Sequence, residues 1–215
     1  MVKFYLIRHG ESQANEIDAF LGHGDLDVTA LGERQAELTA KYLENVHADK
    51  IYSSDLKRAY RTAEKTAKRK GMSIEKRADL REIDAGDWDK VKFSYLLKHD
   101  HDNFTRWIED IGNATPTNGE SVKDLQKRIL SALTDIAQKS DGKTVFVFTH
   151  ATPVRVITGY ALGKSLDELK DVPWSTNASI TTLEYSCGKF SLVEYSHDAH
   201  LGDLVTALHE SDGQE

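Results

Sequence analysis

The chain has 215 residues, with 28 lysines and arginines against 35 aspartates and glutamates, giving a formal charge of −7. That length is ample for a continuous core, and 39% hydrophobic with 29% charged residues is the make-up of an ordinary globular protein, which excludes a disordered or fibrous chain. The acidic balance also excludes a broad nucleic-acid-binding face, because displacing condensed counterions takes many Lys or Arg side chains, so any anion site must be local.

In chain order, residues 2–8 form a β-rich run that leads into Arg8-His9 with no small-residue cleavage site. It reads as a first strand and not as a signal peptide, and a cytoplasmic location is expected. Thr29 opens a helical pattern through about residue 46, with Leu31, Leu38 and Leu43 among its apolar positions. A short strand at 50–53 leads into a helix over 55–70 that ends before Gly71, and 73–77 is a weaker strand. The segment 86–118 interrupts this alternation; it is predicted as two short helices carrying Trp88, Phe93, Tyr95 and Trp107, a lid-like substrate-specificity insertion over the strand ends.

Residues 121–139 read as a long amphipathic helix whose Ser121 and Asp124 have capping-box-like spacing, and 144–149 is the most hydrophobic strand. A further helix is predicted from about residue 152. Residues 179–185 and 189–195 flank Ser186-Cys187-Gly188 and read as a hairpin, and 210–215 as a frayed end. The longest apolar stretches, such as 145–148, fall far short of the roughly 20 residues of a bilayer span, so no membrane crossing is expected. The single Cys187 has no cysteine partner for a disulfide or a thiolate cluster and is expected to pack.

Strands alternating with helices predict an α/β fold: a doubly wound, mostly parallel sheet of about six strands with one antiparallel edge strand and helices on both faces. The chain reads as one domain, 1–215. Ligands in such sheets sit at the carboxyl ends of the strands. Two strands end alike, in Arg8-His9-Gly10 and in Thr149-His150-Ala151, and each delivers a histidine to that edge. A lone histidine there is more often structural; two at one edge point to function. A neutral imidazole, with a reference pKa of about 6.5, is a competent nucleophile near neutral pH. Arg8 adds a planar fork suited to phosphate oxygens. Arg58, early in its helix, either joins that edge or belongs to the exposed stripe of Lys57, Arg61, Lys65 and Lys68. Glu82 follows the third strand and is a candidate general acid. Spacing alone does not distinguish the roles of His9 and His150.

Arg8-His9-Gly10-Glu11-Ser12 with Asn15 resembles the signature of the histidine phosphatase superfamily, the phosphoglycerate-mutase-like proteins. Further blocks follow in the family's order: Thr29-Ala30-Leu31-Gly32 with Gln35-Ala36, the run from Ser53 through Arg58 to Ala63, Leu80-Arg81-Glu82-Ile83 with Gly86 and Trp88, Gly119-Glu120-Ser121, and Thr149-His150. The resemblance implies that His9 takes up the phosphoryl group and that Arg8, Arg58 and His150 hold its equatorial oxygens. It further implies that Asn15 assists binding and that Glu82 donates and accepts the proton, with no cofactor and no metal. Two positions depart from the pattern. Ala151 stands where the family often has glycine, and its N–H still donates to phosphate if φ stays negative. Lys90 stands where a glycine often closes the Gly-x-Trp block, and Thr117-Asn118 precedes Gly119.

The expected activity is metal-independent hydrolysis of a small phosphorylated metabolite through a phosphohistidine on His9. Two alternatives remain at this level: a cofactor-dependent phosphoglycerate mutase, and a non-catalytic module that binds a phosphorylated ligand. Glu82 is followed by Ile83-Asp84-Ala85, where the mutases have a basic and aromatic continuation, and retention of both His9 and Glu82 speaks against simple binding. The cluster Lys98-His99-Asp100-His101-Asp102 reads as a solvated surface and not as a metal site. An edge strand at 189–195 offers pairing with a second copy as a homodimer, and neither nucleic acid nor membrane is expected as a partner.

Overall fold

A computed structural model describes residues 1–206; the end expected to fray, 210–215, lies outside the described residues. The strands are β1 (Val2–Arg8), β2 (Lys50–Ser54), β3 (Ile74–Arg77), β4 (Thr144–Thr149), β5 (Ile180–Ser186) and β6 (Lys189–His197). The helices are α1 (Gln13–Glu16), α2 (Ala30–Leu43), α3 (Lys57–Lys70), α4 (Phe93–His99), α5 (His101–Glu109), α6 (Val122–Gln138) and α7 (Ala151–Ala161).

The sequence of β4 shows why the sheet is covered on both sides. Side chains alternate across a strand, yet every second residue and its neighbour here are apolar. Val145 and Val147 enter one core with Leu125, Ile129, Leu133 and Ile136 of α6 and Val154 and Ile157 of α7. Phe146 and Phe148 enter a second core with Leu43 of α2 and Ala63 and Ala67 of α3. Each such side chain, fully buried, stabilises the fold by about 1.5–3 kcal/mol.

The six strands form one sheet in the order β3-β2-β4-β1-β5-β6. β1, β2, β3 and β4 run parallel, whereas β5 pairs antiparallel with both β1 and β6. The reversed strand is thus one place in from the edge, and β6, running with β1, forms the edge itself. The hairpin turns through Cys187 and Gly188, both at positive φ (50° and 79°), as a two-residue turn of the hand that matches strand twist. Cys187 is consequently exposed at the turn, which corrects the expectation that it packs.

Helix ends follow their local chemistry. The Thr29 side chain accepts from the Gly32 N–H at 3.0 Å, and Ser121 accepts from the Asp124 N–H at 3.1 Å. α3 stops at Gly71, whose φ of 63° closes the helix, with Lys68, Arg69 and Lys70 complementing the dipole of the last turn. No helix among the described residues is long and apolar enough to cross a membrane.

Segment 86–118 contains the two predicted helices, α4 and α5. Trp88, Phe104 and Trp107 are buried, with Phe20 edge-on to both tryptophans, so most of these aromatics form a local core. Tyr95 is exposed and stacks on His99. Asp100 accepts from Trp88 Nε1 at 2.7 Å, Asn103 Nδ2 at 3.0 Å and Thr117 Oγ1 at 2.5 Å, which makes it a structural knot between the two helices. The departures noted within this segment have a backbone consequence. Lys90 and Asn118 sit at φ 66° and 58°, the left-handed region, where a non-glycine residue is disfavoured by about 1–2 kcal/mol.

The close approach of α2 to the loop after β1 depends on two glycines. A Cβ on Gly32 would lie 2.1 Å from the Glu11 carbonyl oxygen, and one on Gly10 would lie 2.5 Å from that of Gly32. Gly→Ala inside a helix ordinarily stabilises by about 1 kcal/mol. Here the backbone overlap outweighs that gain, and Gly32→Ala is expected to lower the unfolding free energy by about 2 kcal/mol in urea titration; a stabilised variant would contradict the packing described.

Candidate active site

The register of two central strands builds the site. Arg8 of β1 pairs with Thr149 of β4, so the next residue on each strand, His9 and His150, emerges side by side. Their ring centroids are 5.2 Å apart at an interplanar angle of 61°, and the His9 N–H donates to the Thr149 carbonyl at 3.0 Å. β2 ends beside them at Ser54, and Arg58 follows in the first turn of α3. The turn carrying Glu82 is fixed from two directions. Thr149 Oγ1 donates to the Leu80 carbonyl at 2.8 Å. Arg128 of α6 donates to the carbonyls of Asp79, Arg81 and Glu82 at 3.0–3.1 Å, with its guanidinium also paired to Glu120.

These elements line a cleft that is open to solvent. Six of the seven residues singled out in sequence line it: Arg8, His9, Asn15, Arg58, Glu82 and Ala151. The seventh, His150, is fully buried directly behind His9. Ala151 is the first residue of α7 and keeps a negative φ, so its N–H retains the orientation a helix N-terminus offers to an anion.

The two histidines, equivalent in sequence, differ in structure. The His9 Nδ1 lies 2.7 Å from the Gly10 carbonyl, which only accepts, so the proton sits on Nδ1 and the lone pair on Nε2. His150 instead engages Ser54 Oγ through Nε2 at 2.8 Å. Burial holds both imidazoles well below the ordinary histidine pKa, and the positive charge of Arg58 adds to it in each case, joined by Arg8 at His9. Both rings are therefore neutral at pH 7.

The arginines are almost wholly buried and are tethered by backbone carbonyls. Arg58 donates from Nη1 to Gly24 at 2.9 Å and from Nη2 to Gly22 at 2.8 Å, while Arg8 Nη1 donates to Ser175. Burial lowers each pKa to about 10, opposed mainly by the Glu82 charge, so both remain cationic at neutral pH. Glu82 Oε1 accepts from the Ile83 N–H at 2.9 Å and Oε2 from the Thr152 N–H at 3.3 Å. Asn15 Oδ1 accepts from the Ser12 N–H at 3.0 Å and its hydroxyl at 2.8 Å, which leaves the Nδ2 amide as the group it offers to an anion.

Arg8 Nε and His150 Nδ1 are buried without a protein partner. Buried polar atoms are normally satisfied, and an oxyanion such as phosphate bound beside Arg8, Arg58 and Asn15 is the kind of ligand that supplies acceptors of this sort. Among the described residues, no group of three or more His, Cys, Asp or Glu side chains is arranged to hold a metal ion.

The site also involves residues that the sequence reading did not single out. In the cleft Ser12 and Thr152 set Asn15 and Glu82 as described, and behind it the buried Ser54 holds His150. Ser12 and Ser54 stood inside quoted motifs, so their positions were visible but not their contacts. Phe20, Leu21 and Trp174 line the outer cleft, and nothing in their local sequence marks them.

Comparison with known proteins agrees with this geometry. The sequence profile of the histidine phosphatase superfamily (branch 1) matches residues 4–198. The chain is 30% identical to phosphoserine phosphatase 1 of Hydrogenobacter thermophilus over 98% of its own length and 100% of that protein's. It is 28% identical to the adenosylcobalamin/alpha-ribazole phosphatase of Escherichia coli K12, over 75% of this chain and 80% of that one. Among solved structures, Bacillus stearothermophilus YhfR superposes with a TM-score of 0.89 at 29% identity, covering 94% of this chain and 100% of the other.

The depressed histidines couple stability to pH with a definite sign. As pH falls through about 6.5 the unfolded chain takes up protons on both residues and the native state does not, so protonation favours unfolding. Between about pH 7.5 and about pH 5.5 this coupling is expected to remove about 1 kcal/mol of unfolding free energy for each of His9 and His150. Chemical denaturation across that range checks it: His150→Gln should show a shallower decline than the parent, and equal slopes would contradict the assignment.

Proposed function

The chain belongs to the histidine phosphatase superfamily and is a phosphatase, a phosphoric monoester hydrolase; from that premise we propose that it hydrolyses small phosphorylated metabolites of the cytoplasm through a phosphohistidine on His9. One observation carries the choice of nucleophile: the Gly10 carbonyl commits the Nδ1 proton and leaves the lone pair on Nε2, in a ring that lines the cleft.

In the first step the Nε2 lone pair attacks phosphorus, the P–O ester bond breaks and a P–N bond forms. In this scheme Arg8 and Arg58 meet the charge on the equatorial oxygens, joined by the Asn15 amide, the Ala151 N–H and His150 Nδ1. For His150 to donate there, Ser54 must give its hydroxyl proton to Nε2, which their 2.8 Å contact allows. Glu82 acts as the general acid and delivers a proton to the departing alkoxide. In the second step Glu82 takes a proton from water as the water oxygen attacks phosphorus. The P–N bond breaks, inorganic phosphate leaves and His9 returns to its neutral form. With two guanidiniums supplying the positive charge, this scheme needs no metal ion.

Segment 86–118 contributes Phe93 and Trp107 to the cleft, in keeping with a role in substrate selection.

Rapid acid-free quenching during turnover is expected to trap a base-stable, acid-labile phosphoenzyme that is absent in His9→Ala, with turnover unaffected by chelator. Full activity in His9→Ala would overturn the mechanism. Glu82→Gln separates the two steps. With p-nitrophenyl phosphate, whose leaving group needs little protonation, it should give a stoichiometric burst of nitrophenol followed by turnover slowed by about 10²–10⁴-fold. A uniformly slow reaction without a burst would remove Glu82 from the water-activating step.

A further inference from the structure

Beyond the phosphate-binding groups and the hydroxyl residues Ser12 and Thr152, the cleft walls formed by the described residues are apolar. They comprise Ala19, Phe20 and Leu21 after α1, Phe93 of α4, Trp107 of α5, and Trp174. Phe20 meets Trp107 edge-on with centroids 4.9 Å apart and Phe93 at 6.2 Å, so three of the rings brace one another on one side. Trp174 continues the same group, its indole stacked on that of Trp107 with centroids 6.2 Å apart at an interplanar angle of 25°, and it is held on three counts. The Tyr195 hydroxyl donates to the Pro173 carbonyl, Arg8 donates to the Ser175 carbonyl, and the Arg155 guanidinium lies 4.2 Å over the indole ring.

Charge in this cleft is as informative as shape. Among the described residues, the lysines and arginines lining it are Arg8 and Arg58, both already assigned to the phosphoryl oxygens. Arg155 stands behind Trp174, outside the lining, and donates to the Lys170 carbonyl at 3.1 Å. A carboxylate on the leaving group would thus lose water against aromatic walls without gaining a cationic partner, which is strongly unfavourable, whereas an uncharged ring gains contact area.

The geometry points to a phosphomonoester of an uncharged, ring-bearing alcohol as the substrate class, with Phe93, Trp107 and Trp174 as the selecting side chains and with amino-acid and hydroxy-acid phosphates disfavoured. This assignment rests on the phosphatase reading of the same site. It separates the chain from what the name of its Hydrogenobacter relative, phosphoserine phosphatase, states for that protein. It likewise disfavours a mutase, whose phosphoglycerate substrate carries a carboxylate.

The test compares esters of similar leaving-group chemistry on the full chain: 2-phenylethyl phosphate, ethyl phosphate and phosphoserine, all primary alkyl esters. The ratio kcat/KM is expected to favour 2-phenylethyl phosphate over phosphoserine by about 100-fold, with ethyl phosphate between them. Trp174→Ala should cut the 2-phenylethyl to ethyl preference by about tenfold, and Phe93→Ala gives the same readout if the tryptophan variant fails to fold. Phosphoserine turned over as well as the aromatic ester, or a preference untouched in the folded variant, overturns the substrate class while leaving the phosphatase reading intact. If no ester is hydrolysed the phosphatase reading fails instead, and calorimetric affinities of the aromatic ester and phosphoserine then decide the cleft assignment by the same ordering.

Discussion

Everything at this site depends on one in-register pairing, that of β1 with β4. Because Arg8 sits opposite Thr149, the chain turns out of both strands at the same height, and the two histidines can only emerge together. A slip by one residue would send every side chain of β1 to the opposite face. The dense burial of Phe4, Leu6 and Ile7 on β1 against Val145, Phe146, Val147 and Phe148 on β4 makes such a slip costly. The packing that stabilises the sheet is therefore the same packing that fixes the spacing of the reactive groups.

Onto that frame the protein adds charge in an unfavourable place. Two guanidiniums are buried to within 1% of full exclusion, and their hydrogen bonds go to neutral carbonyls. Burial, with their positive field added to it, is what keeps the nearby imidazole of His9 unprotonated, so the cost of burying the arginines is tied directly to the neutral state of that ring. Glu82 partly offsets that field and is itself held by the carbonyl clamp of Arg128 on the other side of its turn. On the function proposed above, a bound phosphoryl group would give Arg8 Nε and His150 Nδ1 the acceptors that the protein does not provide.

Much of this was legible in the sequence, for identifiable reasons. Alternating apolar runs and capping residues located the strands and helices, because both signals act within a few residues. Strand order and the inner place of β5 were not legible, since they depend on which edges meet. Arg58 illustrates the limit. Its neighbours Lys57, Arg61, Lys65 and Lys68 suggested a solvated face, but Arg58 shares a four-residue spacing with Thr62 and Thr66 and is flanked by Ala59 and Ala63, and this small-residue face is the buried one. The choice between His9 and His150 turned on a backbone carbonyl one residue away and a serine 96 residues away, neither of which spacing expresses. Trp174 was invisible for the same reason: its position follows from tethers supplied by β1, α7 and β6.

The central claim is that the protein holds His9 as a neutral ring with its proton on Nδ1 and its lone pair on Nε2. Nitrogen-15 NMR of ring-labelled histidine, assigned by comparison with His9→Ala, reads tautomer and charge directly across a pH titration of the ligand-free protein. The account requires a protonated Nδ1 and a bare Nε2 at neutral pH, persisting well below the ordinary histidine pKa of about 6.5. An imidazolium forming near that pH, or a ring protonated on Nε2, would contradict it.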